Sequence, residues 1–182
     1  GGGGDDSTGG STVSGYVRDA GSLTAIEGAR VTTSGRTAVT NAQGFFTLTG
    51  VSTGALALTA TASGYAAGSA QVPAGSGDRL LGSAILLTPS ALPDTANITG
   101  RVTLGGQGAA DATVRAGGVS GVTDDDGYFT LYNVPLGSQT VFATGLDANG
   151  NTVTGSASVN LTGATVEVNI QLTDQPPLPP TI

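Results

Sequence analysis

Asp124, Asp125 and Asp126 stand together before Gly127, and alternate carboxylates on a turn can chelate calcium through oxygen ligands. The spacing lacks the later bidentate Glu of a calcium loop. The chain writes the same turn elsewhere with Asn41, Ala42 and Gln43 before Gly44, so folding there requires no metal. A plain turn is the favoured reading, with Asp124 and Asp126 kept as weak calcium candidates. Asp147, Asn149 and Asn151 are weaker still, because Asn149-Gly150 is a favoured hairpin turn on backbone grounds alone. Paired carboxylates also hydrolyse glycosides, yet Asp5-Asp6 lie in a Gly-rich stretch and the other acidic run lies in a turn. Of the 4 Tyr and 4 Phe, most sit at core-like strand positions, which leaves few for a sugar platform. No Cys and no His are present, so thiol chemistry, the usual zinc sites and His-based acid–base catalysis are closed off. The inventory points to a protein that is not an enzyme and needs no cofactor.

The elements that carry these residues occur twice. Val39-Thr40-Asn41-Ala42-Gln43-Gly44-Phe45-Phe46-Thr47-Leu48 reappears as Val122-Thr123-Asp124-Asp125-Asp126-Gly127-Tyr128-Phe129-Thr130-Leu131. Val13 to Val17 likewise matches Ile98 to Val102, Ala29-Arg30-Val31 matches Ala112-Thr113-Val114, and Ile85 to Thr88 matches Ile170 to Thr173. Period-two alternation between turn signals predicts about seven short strands per copy and no useful helix, an all-β plan of two tandem sandwiches. The first copy is expected over 12–89 and the second over 97–174, joined by a stiff linker at 90–96 that includes Pro93. Thr37–Thr40 and Phe45–Thr49 are expected to form a hairpin about the Asn41–Gly44 turn, with Gly44 supplying a positive φ. Residues 1–11, rich in Gly, Ser, Thr and Asp, predict a flexible or partner-bound arm, and the Pro-rich 175–182 an extended tail.

Charge narrows the partners. All 6 cations are Arg, and 13 acids give a net charge of −7. Such a surface repels nucleic acid, which needs clustered cations, and offers anionic lipid no basic patch. Low charge, abundant Thr and missing Lys fit a protein living outside the cell or on its surface. Gly1-Gly2-Gly3-Gly4-Asp5-Asp6 resembles the spacer that follows the lipidated Cys of many bacterial lipoproteins, which predicts a lipid anchor upstream of Gly1.

The repeated pattern resembles the carboxypeptidase regulatory-like domains. Its carriers are Gly15, Val17, Ala29, Val31, Thr40, Asn41, Gly44, Phe46, Leu48, Val51, Gly54, Gly64 and Tyr65 in the first copy. In the second they are Gly100, Val102, Ala112, Val114, Thr123, Asp124, Gly127, Phe129, Leu131, Val134 and Gly137, with Gly145-Leu146 where the first copy has Gly-Tyr. The resemblance implies a transthyretin-like, Ig-like β-sandwich of seven strands in each copy and a companion module with no catalytic set. It leads to two expectations of function. One is a structural or adhesive surface protein, self-assembling into a filament by strand addition through its arms. The other is an accessory binding a surface glycan, a peptide or another surface protein. Tyr16, Tyr65 and Tyr132 are the candidate contact residues, expected at the rim with hydroxyls in water.

Overall fold

The computed structural model describes residues 10–174. Apart from Gly10 and Ser11, the expected arm at 1–11 lies outside them, as does the tail at 175–182. The contacts divide the chain between Ser90 and Ala91 into two units. Among the described residues every regular element is a strand.

In the first unit the strands are β1 (Ser11–Asp19), β2 (Arg30–Thr33), β3 (Arg36–Val39), β4 (Phe45–Val51), β5 (Leu56–Thr61), β6 (Gly68–Val72), β7 (Asp78–Leu80) and β8 (Ile85–Leu87). One sheet runs β3-β2-β5-β6. In the other, β1 pairs antiparallel with β4 and parallel with β7 and then β8 along its length. β7 and β8 thus occupy one strand position, broken between Leu80 and Ile85, which reconciles eight ribbons with a seven-strand plan.

The second unit has β9 (Thr95–Leu104), β10 (Gln107–Gly108), β11 (Thr113–Ala116), β12 (Val119–Val122), β13 (Tyr128–Pro135), β14 (Gly137–Leu146), β15 (Thr152–Leu161), β16 (Val166–Gln171) and β17 (Thr173–Asp174). Its sheets are β12-β11-β14-β15-β17, and β13 with β9, to which β10 and β16 also pair. Here the partner of β9 is unbroken: β16 pairs with it from Val166 to Gln171.

Alternation explains the packing. In β5, Leu56, Leu58 and Ala60 are buried and Ala57, Thr59 and Thr61 are exposed, as a pleated strand with one wet face requires. Leu58, Val31, Val13, Val17, Phe46 and Leu48 meet in the first core, and Val114, Val141, Ile98, Leu131 and Ile170 in the second. Each fully buried aliphatic or Phe contributes roughly 1.5–3 kcal/mol from burial.

One expected pairing is wrong. β3 and β4 do not form a hairpin: β3 pairs with β2 and β4 pairs with β1, in different sheets. The cause lies one turn earlier. Ser34 and Gly35 have φ of 42° and 79°, the two positive values of a type I′ turn, and this tight hairpin takes β3 onto β2. Gly117-Gly118 does the same for β11 and β12, with φ of 56° and 82°. The Asn41–Gly44 and Asp124–Gly127 segments are therefore crossings from one sheet to the other. Where a hairpin was expected at Asp147–Asn151 it exists, joining β14 to β15 with Leu146 opposite Thr152.

Candidate functional site

Each sheet crossing begins at a buried threonine. The Thr40 hydroxyl donates to the Ile26 carbonyl at 2.6 Å and accepts from the Ala29 N–H at 2.8 Å. Thr123 repeats this, donating to Ala109 at 2.5 Å and accepting from Ala112 at 2.8 Å. The next side chain closes the turn. Asn41 Oδ1 accepts from the N–H groups of Gln43 and Phe45, both at 3.0 Å, and Asp124 Oδ1 from those of Asp126 and Tyr128, both at 2.9 Å. Gly44 and Gly127 end it with φ of 75° and 87°, where a Cβ would lie 2.6 Å from the Val17 carbonyl oxygen and 2.4 Å from that of Val102. Positive φ and that close approach together demand glycine. Phe46 and Phe129 then enter the two cores.

This geometry gives Asp124 a backbone task that a neutral Asn performs equally well. Among the described residues no three or more His, Cys, Asp or Glu side chains come together as a metal group, so Asp124 and Asp126 gain no further ligand of those types. Asp147 Oδ1 similarly accepts from the Asn149 and Asn151 N–H groups at 2.9 Å each. The backbone N–H of Asn151, aided by that of Asn149, holds its carboxyl below the usual range.

Of the three candidate tyrosines, Tyr16 and Tyr65 belong to the first unit and Tyr132 to the second. Tyr16, 38% exposed, lies 5.1 Å from Phe45 between ring centroids, with the Arg18 guanidinium 5.4 Å from its own. Tyr132, in the other unit, is half-buried. Tyr65 corrects the expectation of a hydroxyl in water. Its ring packs against the first core and its hydroxyl donates to Asp19 Oδ2 at 2.9 Å. Burial first, and the Asp19 bond second, push that phenol above its ordinary range.

The supposition that most aromatics are core residues fails too. Only Phe46 and Phe129 are buried; Tyr128 is 54% exposed and Phe142 45%. Alternation carried the signal for Phe142: Val141 and Ala143 face inward, so Phe142 shares the outer face with Thr140 and Thr144. On that face the cross-strand row reads Ser120, Arg115, Phe142, Ser156 across β12, β11, β14 and β15. The corresponding row of the first unit reads Thr37, Thr32, Thr59, Ser69. Arg115, Ser120, Thr140 and Phe142 line an open groove of about 290 Å³ beside the Gly117-Gly118 turn. A second groove of about 410 Å³, lined by Gln139, Ser158 and Asn160 among others, shares Thr140 with it.

A comparison with curated proteins finds no match. Among solved structures, the chain is similar to the TIE protein of Bacillus anthracis at 14% identity and a TM-score of 0.37, covering 90% of this chain and 34% of that one. It is similar to a Streptococcal ancillary pilin at 12% identity and TM-score 0.34, covering 92% and 64%, and to BcpA, the major pilin subunit of Bacillus cereus, at 14% and 0.35, covering 82% and 56%. The chain therefore spans only part of these proteins. Residues 12–81 match the family described as the carboxypeptidase regulatory-like domain, and that segment holds the anchored threonine, the Asn41–Gly44 crossing and the buried Phe46.

Proposed function

We propose that this chain is a non-catalytic structural or adhesive protein of the cell surface or extracellular space, and that copies join by strand addition through their terminal arms. The observation that supports this most is the outer edge of β15. β14 pairs with β15 along its whole length, but on the other side β17 reaches only Val153 and Thr154. From Gly155 to Leu161 the edge pairs with no strand among the described residues, and Gly-Ser-Ala-Ser-Val-Asn-Leu contains no proline and no charge. Soluble β-proteins usually guard such an edge with one of those devices. An unguarded edge is an acceptor for an extended segment of a second copy, and head-to-tail repetition leaves the symmetry open.

The chain has no Cys and no Lys, so neither a disulfide nor an amide through a lysine amine would join copies, and their contact rests on main-chain hydrogen bonds and burial. Electron microscopy of the full chain, with and without residues 1–9, tests the reading. Ser11 stays in both, because it is buried in β1 with its hydroxyl on the Gly77 carbonyl. Fibres or chains of particles that vanish on removal of the arm are the expected outcome. Dispersed monomers in both samples across concentration would overturn it.

A further inference from the structure

The outer face of the β12-β11-β14-β15 sheet sets an arginine directly opposite an exposed aromatic ring, a pairing that the corresponding face of the first unit lacks. β11, β12, β14 and β15 contain no Asp or Glu, and Arg115 is their one charged residue in a chain of net charge −7. Arg115 is also unengaged. Arg18 and Arg79 donate to backbone carbonyls and Arg101 to that of Asp126, whereas Arg115, like Arg30 and Arg36 of the first unit, makes no hydrogen bond or ion pair with any described residue. Directly across the strand pair stands Phe142, 45% exposed, its ring surrounded on the face by Ser120, Thr140, Thr144 and Ser156 rather than by other apolar groups.

A protein partner would bring an apolar core to match an apolar core, with aromatic anchors clustered at its centre. Around Phe142 this face offers one apolar ring in a field of hydroxyls, with the exposed Leu146 apart from it at the far end of β14. A pyranose fits that better. Its C–H face lies flat on an aromatic ring, its hydroxyls exchange hydrogen bonds with Ser and Thr side chains held rigidly by a sheet, and a ring carboxylate completes the unpaired guanidinium. Gly118 of the turn beside the groove is bare: a Cβ added there meets nothing within 4 Å, so the ring has room to approach on that side.

We propose that this face binds a carboxylated sugar of a polysaccharide or glycoconjugate. Arg115 pairs with the carboxylate, Phe142 carries the sugar ring, and Ser120, Thr140 and Ser156 take its hydroxyls. The first unit supplies its own control, since Thr32 and Thr59 stand where Arg115 and Phe142 do.

Titration calorimetry of the full chain tests this with a galacturonic acid trisaccharide and 3′-sialyllactose, against neutral galactotriose. Saturable binding of at least one acidic sugar is expected, weakened by added salt, with the neutral trimer bound about tenfold more weakly or not at all. Arg115→Thr and Phe142→Thr, which install the first unit's residues, should each weaken binding about tenfold or more. Circular dichroism melts that match the parent chain keep a folding defect from passing as lost binding. Deleting residues 1–9 should leave sugar affinity unchanged, which separates this site from the assembly reading. Failure of both acidic sugars to bind, equal binding of the neutral trimer, or affinity untouched by either folded variant would overturn the proposal. So would binding of the peptide Gly-Gly-Gly-Gly-Asp-Asp-Ser-Thr-Gly at Arg115 in place of the sugars, which would assign the face to the arm of another copy.

Discussion

The first strand of each unit has the same sequence pattern and different neighbours. β1 meets a broken partner, β7 then β8, while β9 meets the unbroken β16. At the break, Leu81 fills the space beside Gly15 with a side chain: a Cβ on Gly15 would lie 2.8 Å from Leu81 Cδ1. At the equivalent Gly100 the neighbour is backbone, and a Cβ would lie 1.7 Å from the Val168 carbonyl oxygen. One repeated glycine therefore answers two physical demands. A side chain swings aside; a carbonyl in a ladder does not. The broken strand also carries a compensation. Arg79 of β7 donates to the Gly54 and Pro73 carbonyls at 2.9 Å each, to Ser11 Oγ at 3.1 Å and to the Ser52 carbonyl, tying the short ribbon to β1 and to the turn after β4.

The largest effect should separate the two glycines. Gly100→Ala should destabilise the second unit by about 3 kcal/mol or more, and Gly15→Ala the first by about 1 kcal/mol, read from denaturant unfolding followed by unit-specific NMR signals. Equal losses would mean that the break does not relax the first unit. Arg79→Met, which keeps the stem and removes the donors, should cost about 2 kcal/mol in the first unit alone. A loss as large in the second unit would show that the clamp is not local. Thr40→Val and Thr123→Val should each cost about 1–3 kcal/mol and by similar amounts, because each leaves an N–H and a carbonyl without the same hydroxyl. Here the comparison predicts sameness, and a twofold disparity would break it.

The smallest effect is a pH dependence. Because the Tyr65 phenol titrates above its unfolded value of 10.0, it favours the folded state fully below that pH, and the contribution disappears as pH rises through the folded value. Melting of the first unit should fall on the alkaline side of 10.0 with a component that Tyr65→Phe removes.

How legible the fold was depended on whether local chemistry also set the pairing. Asp147-Ala148-Asn149-Gly150 both makes its turn and joins the strands on either side, so sequence and structure agree there. Asn41–Gly44 makes an equally good turn, yet Ser34-Gly35 had already claimed β3 for β2. β7 was invisible because Asp78-Arg79-Leu80 has no strand alternation of its own; pairing with β1 makes it a strand. The candidate surface was legible in principle through the phase of Thr140, Phe142 and Thr144. What hid it was the weight given to aromatic residues as core, whereas Val, Leu and Ile, with Phe46 and Phe129, fill both interiors.

The pairing of β1 with β8 has a consequence for biosynthesis. The earliest ribbon of the first unit cannot complete its sheet until Ile85 to Leu87 has left the ribosome, so that sheet stays unfinished until nearly the whole unit has been made. Throughout that interval Val13 and Val17 have no finished interior to enter, and a holding chaperone would find its target there rather than in the finished protein.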